Sequence, residues 1–341
     1  MTAETISFPL DPGAAALLTR LHAAGHAAYA VGGCVRDSLL GQTPHDWDLC
    51  TSATPEQVLE LFGEAHCIPT GLQHGTVTVK HGGELYEITT FRTEGAYSDG
   101  RHPDHVAFVP DVKEDLARRD FTINAMAISV NANNYGELLD PFDGVGDIER
   151  RLIRTPLDPN ITFSDDPLRM MRAVRFATRL GFDIYPETMN AIARNAERIK
   201  IITRERIAEE LMKIMRTDNP SRGFMLLSEC GLLPYIFPEL AAMQGVDTMN
   251  GRAHKDNFMH TMQVLDNVAS QSQNEWLRWG ALLHDIGKPA CKRWDDQVGW
   301  TFHNHNFIGA KMIPRIFSKM RLPLNEHMKY VQKLVELHMR P

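Results

Sequence analysis

The chain has 341 residues, 43% hydrophobic and 23% charged, with a formal net charge of −7. That length exceeds one ordinary core, and the balance excludes a fibrous or disordered chain, so two or more soluble, globular units are expected. No apolar run approaches the roughly 18 residues that cross a bilayer, and the opening MTAETISFPLDPG lacks the basic and apolar regions of a signal peptide. The expectation is a cytoplasmic enzyme with no membrane partner.

Five cysteines, Cys34, Cys50, Cys67, Cys230 and Cys291, are odd in number and never form a CxxC pair, which argues against a disulfide framework and a zinc finger. The acidity is uneven. Residues 150–216 hold 14 Lys and Arg against 9 Asp and Glu, a local +5 that leaves −12 for the remainder. Polyanion binding follows the local field, so this middle stretch is where a phosphate backbone is expected to lie.

In chain order, residues 26–31, 76–80, 86–91, 105–109 and 125–130 read as strands separated by Gly, Pro and Asp turns. Residues 54–62 open with Thr-Pro and continue as a helix. The first third is therefore an α+β unit around one sheet. From Pro167 onward apolar residues recur at helical spacing, with Leu168, Met171 and Val174 on one face and Ile207, Leu211 and Ile214 on another, so the rest is expected to be all-α. The pattern Tyr330, Val331, Leu334, Val335, Leu337 is still helical where the chain stops, which suggests a piece of a longer polypeptide.

The chemistry begins at Val31-Gly32-Gly33-Cys34-Val35-Arg36-Asp37. A strand running through two glycines into a helix presents backbone N–H groups to an anion, with Arg36 close by. Alone, such a turn is more often a tight connection. Nine residues after Asp37 comes Asp46-Trp47-Asp48. In a strand, residues two apart share a face and lie about 7 Å apart, so both carboxylates can grip one pair of divalent cations. Two-metal phosphoryl transfer uses that arrangement, one ion activating the attacking hydroxyl and the other neutralising the leaving group.

With Arg118-Arg119-Asp120-Phe121-Thr122-Ile123-Asn124-Ala125 downstream, the sequence resembles the class II tRNA nucleotidyltransferases, the CCA-adding enzymes, and their relatives the bacterial poly(A) polymerases. The likeness continues through Asp140-Pro-Phe-Asp-Gly144 to Arg154, Asp165-Asp166-Pro-Leu-Arg169-Met-Met-Arg172-Ala-Val-Arg175, and Arg204-Glu205-Arg206-Ile207-Ala208-Glu209-Glu210. It implies a polymerase-β-like palm that adds CTP and ATP to tRNA 3′ ends without a nucleic-acid template.

On that resemblance Asp46 and Asp48 hold Mg²⁺, and Glu87 is a further carboxylate whose alternative is an ordinary exposed strand residue. Gly32, Gly33 and Arg36 take the triphosphate side, while Arg119, Asp120 and Asn124 contact ribose and phosphate. Asp166 and Arg169, three apart on a helix, are expected to read the base edge, and Arg172 joins the nucleotide-binding set. Residues 93–104, TEGAYSDGRHPD, match the loop that CCA-adding members use to switch from C to A. Asp165 stands where the family commonly has Glu.

Seven of the fifteen histidines fall in residues 254–341. His284-Asp285-Ile286-Gly287-Lys288 follows an apolar helix, and His260, His305 and His338 complete a set that looks like an HD-type phosphohydrolase site for one or two divalent metals. His254, His303 and His327 read as structural. The expected division is a nucleotidyltransferase head over 1–140, a helical neck over 141–250 for base selection and RNA binding, and an HD-type helical domain over 251–341. Expected partners are tRNA, CTP and ATP. The alternatives are a poly(A) polymerase, and an HD phosphohydrolase as the main activity.

Overall fold

The computed structural model describes residues 10–95, 98, 103–130 and 136–340. The chain forms two compact units, Met1–Asp166 and Pro167–Pro341. Much of the expected C-to-A switching loop, residues 96–97 and 99–102, lies outside the described residues. Among those described, no helix is long and apolar enough to cross a membrane.

The first unit opens with helix α1, Pro12–Ala23. Asp11 caps it by accepting the Ala14 N–H, and Pro12 supplies a preset φ in the first turn. Strand β1 (Ala28–Val31), helix α2 (Gly33–Leu39), strand β2 (Asp48–Thr51) and helix α3 (Pro55–Phe62) follow. Thr54 and Gln57 close a reciprocal capping box at the start of α3, as the Thr-Pro signal led one to expect. Strands β3 (Cys67–Gly71), β4 (Thr76–His81) and β5 (Glu84–Thr90) come next. After β6 (Arg92–Glu94), β7 (Val106–Phe108) and α4 (Val112–Ala117), the unit ends with β8 (Ala127–Ser129), β9 (Leu138–Leu139), α5 (Gly144–Arg150), β10 (Leu152–Ile153) and α6 (Pro159–Asp165).

Seven strands form one sheet in the order β3-β4-β5-β2-β1-β8-β9. Only β2 and β5 pair in parallel, with Leu49 opposite Ile88; the other pairs are antiparallel. One face packs Leu17, Leu18 and Leu21 of α1 and Val58 of α3 onto Ala30, Leu49, Val77 and Ile88. The other gathers Val31, Cys50, Phe91, Leu116 and Ala127. A sheet buried on both faces is rigid, and its edges and ends are the places left for chemistry. The expected strand at 105–109 pairs instead with β6 in a separate ribbon, and β3 was not foreseen.

The second unit is mainly helical: α7 (Leu168–Leu180), α8 (Pro186–Asn195), α9 (Arg204–Met215), α10 (Pro220–Glu229), the short α11 (Leu233–Ile236) and α12 (Pro238–Ala241), α13 (Asn257–Ala269), α14 (Glu275–Leu283), α15 (Lys288–Cys291), α16 (His305–Lys319) and α17 (Glu326–Leu337). Gly181 ends α7 in the left-handed conformation, where a side chain would be strained. The all-α expectation misses a two-residue strand β11 (Asp183–Ile184) and two hairpins, β12 (Thr248–Met249) with β13 (Arg252–Ala253), and β14 (Arg293–Asp295) with β15 (Gly299–Thr301). The second hairpin has a local cause. Asp295 Oδ1 accepts the Gln297 and Val298 N–H groups, and Gly299 takes φ 97°, so a turn forms between two tryptophan-bearing strands.

At the centre of this unit Arg278 is fully buried. Its guanidinium donates to the carbonyls of Met215 and Thr217 at the end of α9, and to Ala269 and Ser272 at the end of α13. Unpaired carbonyls at helix C-termini carry partial negative charge, so one cation satisfies two helix ends. All five cysteines are buried and free.

Candidate functional site

Asp48 is the first residue of β2, and Asp46 lies two residues ahead of it, outside the strand. The expectation that both carboxylates sit in one strand therefore fails. The ladder ends where Val31 pairs with Asp48, because Gly32 turns the partner chain away and leaves Asp46 without a strand to pair with. Glu87 gains where Asp46 loses. Leu49 lies opposite Ile88 in parallel register, so Asp48 and Glu87, one residue earlier on each strand, leave from the same face at neighbouring positions.

The charges register this closeness. Loss of solvent raises the Glu87 carboxyl, and the negative charges of Asp48 and Asp46 raise it further. Asp48 is also raised, by desolvation and by Asp46, with Arg119 opposing. These three carboxylates, with Arg119 beside Asp48, form a donor set suited to a hard cation with oxygen ligands.

Beside them the Gly32 turn has a φ of 83°, and a Cβ there would stand 3.3 Å from Arg119 Nη1. Glycine is therefore required for conformation and for space. Arg36 departs from expectation. It lies on the inward side of α2 with Cys34 and Val35, and only 3% of its surface is exposed. Its Nη1 donates to Asn124 Oδ1 at 2.5 Å and its Nε to Asp37 Oδ1 at 2.9 Å. Asn124 Nδ2 then donates to Asp120 Oδ1 at 3.1 Å, which also accepts the Phe121 N–H. Arg36 thus fixes the orientation of Asn124, and Asn124 that of Asp120.

Sequence reasoning missed Asp115. It is fully buried on α4, accepts the Arg92 N–H and Arg118 on one oxygen, and takes Arg119 Nη2 at 3.2 Å on the other. Arg118 is further held by Glu94 at 3.1 Å. The signal was present, since Asp115 precedes two arginines by three and four residues on a helix. The Asp140–Gly144 motif turns out to be a buttress. Asp140 accepts the Gly144 and Val145 N–H groups, and buried Asp147 accepts the Thr122 hydroxyl and ion-pairs with Arg150 and Arg154. A Cβ on Gly144 would meet the Thr122 carbonyl.

The helical relation expected of Asp166 and Arg169 does not hold. Asp166 closes α6 in an extended conformation, φ −128° and ψ 95°, because the following Pro167 disfavours helical geometry in the residue before it. Arg169 lies in α7, as does Arg172, whose guanidinium sits 5.4 Å from the Phe176 ring. In the second unit the last family-like motif has a structural use: Glu210 of α9 takes Arg175 of α7 at 2.5 Å, both buried.

The histidines of the second unit converge on Asp285, which is 2% exposed. His284 Nε2 lies 3.2 Å and His260 Nε2 3.7 Å from Oδ2; His305 Nε2 lies 3.1 Å and His338 Nε2 3.6 Å from Oδ1. Three rings are set by the same device. His284, His305 and His338 each direct Nδ1 to the carbonyl three residues back, Ala281, Phe302 and Val335. A neutral ring that donates through Nδ1 keeps its lone pair on Nε2, the state a metal ligand requires. His305 and His338 bring those Nε2 atoms within 3.2 Å of each other. His260 differs, since the Lys255 ammonium meets its Nδ1 at 3.2 Å. Two sets, His260-His284-Asp285 and Asp285-His305-His338, have ligand atoms within 4.8 Å of one another.

Burial opposes ionisation of Asp285, yet bonds from His284, His338 and Lys288 hold its carboxyl well below the usual carboxylate range. Burial lowers His305 and His260; on His338 burial also lowers, but the Asp285 bond, the Val335 carbonyl and the Asp285 charge together raise it. His254 and His327 stand apart, the former bonded to Lys255 O and the latter stacked on Trp276.

Comparison with known proteins accords with these two centres. The family model described as the poly A polymerase head domain matches residues 28–154, that of the probable RNA and SrmB-binding site of polymerase A matches 181–244, and that of the HD domain matches 257–341. The chain is 49% identical over 268 residues to the CCA-adding enzyme of Lactobacillus delbrueckii subsp. bulgaricus, covering 77% of this chain and 66% of that one. It is 52% identical over 216 residues to the CCA-adding enzyme of Lactobacillus helveticus, covering 63% and 53%. The fold superposes on the crystal structure of the Bacillus stearothermophilus CCA-adding enzyme in complex with CTP with a TM-score of 0.69, at 33% identity, covering 96% of this chain and 71% of that one. The chain thus spans between about half and two thirds of the length of these curated relatives.

Fold and matches together define the class, a poly(A)-polymerase-type head followed by that family's helical segment and an HD domain. Within it, the chain belongs to the family of the CCA-adding enzymes.

Proposed function

We propose that this chain completes tRNA 3′ ends in the cytoplasm, adding C, C and A from CTP and ATP without a nucleic-acid template. The observation that carries the reading is the placing of Asp48 and Glu87 on one face beside the Gly32 turn, in a family one of whose members is solved with CTP. Asp46, Asp48 and Glu87 would hold Mg²⁺, which suits an all-oxygen set. Bound there, the metal would acidify the attacking hydroxyl and neutralise charge on the leaving pyrophosphate.

The protein's own groups do the positioning. Arg119, anchored on Asp115 and close to the glycine turn, is assigned to the triphosphate. Asp120 and Asn124 supply an acceptor and a donor for the ribose hydroxyls, and Arg36 holds Asn124 in that orientation. Asp166, Arg169 and Arg172 are assigned to selecting the base.

Incorporation of labelled CTP and ATP into tRNA lacking its CCA end, read at single-nucleotide resolution, tests the proposal. The expected product gains two C and one A and stops. Continued A addition would make the chain a poly(A) polymerase, and unchanged incorporation by Asp46→Ala would remove the transferase reading.

The imidazole cluster favours a second reading, a metal-dependent phosphohydrolase centre. Its nitrogen-rich donors suit a transition metal better than Mg²⁺. The division of ligands between the two oxygens of Asp285 suits either one ion or a bridged pair. Such an ion would supply an activated water. His284→Ala is expected to remove phosphatase activity alone.

A further inference from the structure

Arg92, Arg118 and Arg119 share two carboxylates, Glu94 and Asp115, whose side chains are 6% and 0% exposed. Glu94 Oε1 takes Arg92 Nε at 3.1 Å, Arg92 Nη2 at 2.9 Å and Arg118 Nη1 at 3.1 Å. Asp115 Oδ1 takes the Arg92 N–H at 3.1 Å and Arg118 Nη2 at 3.4 Å, and its Oδ2 takes Arg119 Nη2 at 3.2 Å. Arg118 therefore reaches both acids, and its contact with Asp115 is the longer one, near the limit of a hydrogen bond. Arg119 depends on Asp115. Its Nε is buried without a hydrogen-bond partner, so the Nη2 contact is what orients the guanidinium, whose Nη1 stands by the Gly32 turn.

Two cations thus compete for one carboxylate, and Glu94 stands where it can decide between them. Away from water a guanidinium that loses one carboxylate gains most by closing on the next. Without the Glu94 charge, Arg118 would close on Asp115, divide the anchor of Arg119 and bring a like charge towards it. We propose, on the assignment of Arg119 to the triphosphate, that Glu94 is a positioning residue of the nucleotide site: by holding Arg118 off Asp115 it keeps Arg119 oriented for the triphosphate. The triphosphate is common to CTP and ATP, so both nucleotides are affected alike.

Calorimetric titration of the full chain with CTP and with ATP, in Mg²⁺ and without tRNA, reads the affinity directly. Glu94→Gln, which keeps the shape and removes the charge, should weaken both nucleotides about fivefold to tenfold, the scale of one charge-assisted hydrogen bond. Adding Arg118→Gln to it should restore most of the lost affinity, because the competitor is gone; a merely structural Glu94 would leave the double variant as weak or weaker. In incorporation assays the same pattern should appear in KM, with kcat little changed. Parental affinity in folded Glu94→Gln, a loss confined to one nucleotide, or a double variant no better than the single would overturn the proposal. If Glu94→Gln does not fold, Arg118→Gln alone decides: affinity at or above the parental value sustains the positioning role, and weaker binding, which would make Arg118 itself a triphosphate ligand, overturns it. The expected affinities in a chain that incorporates neither nucleotide would sustain the positioning and remove the transferase reading. Normal incorporation with parental affinity in Glu94→Gln would remove the positioning alone, and a parent that binds no CTP would remove both.

Discussion

The two centres are built from opposite materials. The head sets three carboxylates at exposed positions at the end of an otherwise buried sheet, where Asp46 raises Asp48 and both raise Glu87. The second unit sets four imidazoles around one buried carboxylate, with three rings fixed by their own backbone. Among the described residues, the head acids do not form a trio within 4.8 Å, whereas the imidazole cluster does so twice. An open oxygen set admits a cation together with a substrate carrying its own phosphate oxygens. A closed nitrogen set would select an ion by ligand type and retain it.

The sharpest test of this contrast is Asp48→Ala, expected to reduce nucleotide incorporation about a thousandfold or more, the scale of a metal's transition-state contribution, without changing the metal retained by the second unit. Loss of retained metal in this variant would break the comparison. Next in size, His284→Ala is expected to weaken metal retention about a hundredfold or more, at or above the upper end of what outer-shell partners cost, with incorporation unchanged; mass-spectrometric metal content decides it. Arg36→Gln, which loosens Asn124 without touching the carboxylates, should lower kcat/KM for CTP about tenfold, the worth of one charge-assisted hydrogen bond. Parental kinetics would remove its positioning role.

The smallest effect concerns pH. A carboxyl raised in the folded state stabilises while protonated, below its unfolded value near about 4, and that stability is lost as pH rises through the folded value. Asp48→Asn and Glu87→Gln should therefore melt at or above the parent temperature at pH 8, with the difference vanishing towards pH 4. Lower melting temperatures at pH 8 would mean that the head carboxylates are stabilised as anions.

Much of this was legible before any coordinates. The strands at 26–31, 76–80 and 86–91 and the Thr54 cap emerged because each is decided by neighbours within a few residues. The convergence of His260, His284, Asp285, His305 and His338 was readable as residue type without geometry. What escaped depended on distant partners. Asp46 leaves the strand because Val31 is the last residue able to pair, and Arg36 turns inward because Asn124, far along the chain, accepts it. The break at Asp166 was decided by Pro167 next to it and could have been foreseen.

Arg278 gives the second unit a property that its family spans do not announce. A single guanidinium closes the end of α9, which lies in the span matched as the RNA-binding segment, and the end of α13, which lies in the HD span. Removing either helix would take away part of the acceptor set of a buried cation, and a buried charge short of acceptors is strongly destabilising. The HD helices and the segment before them should consequently melt in one transition, as a single foldon. A cut between residues 244 and 257 would then yield two insoluble fragments rather than two working domains.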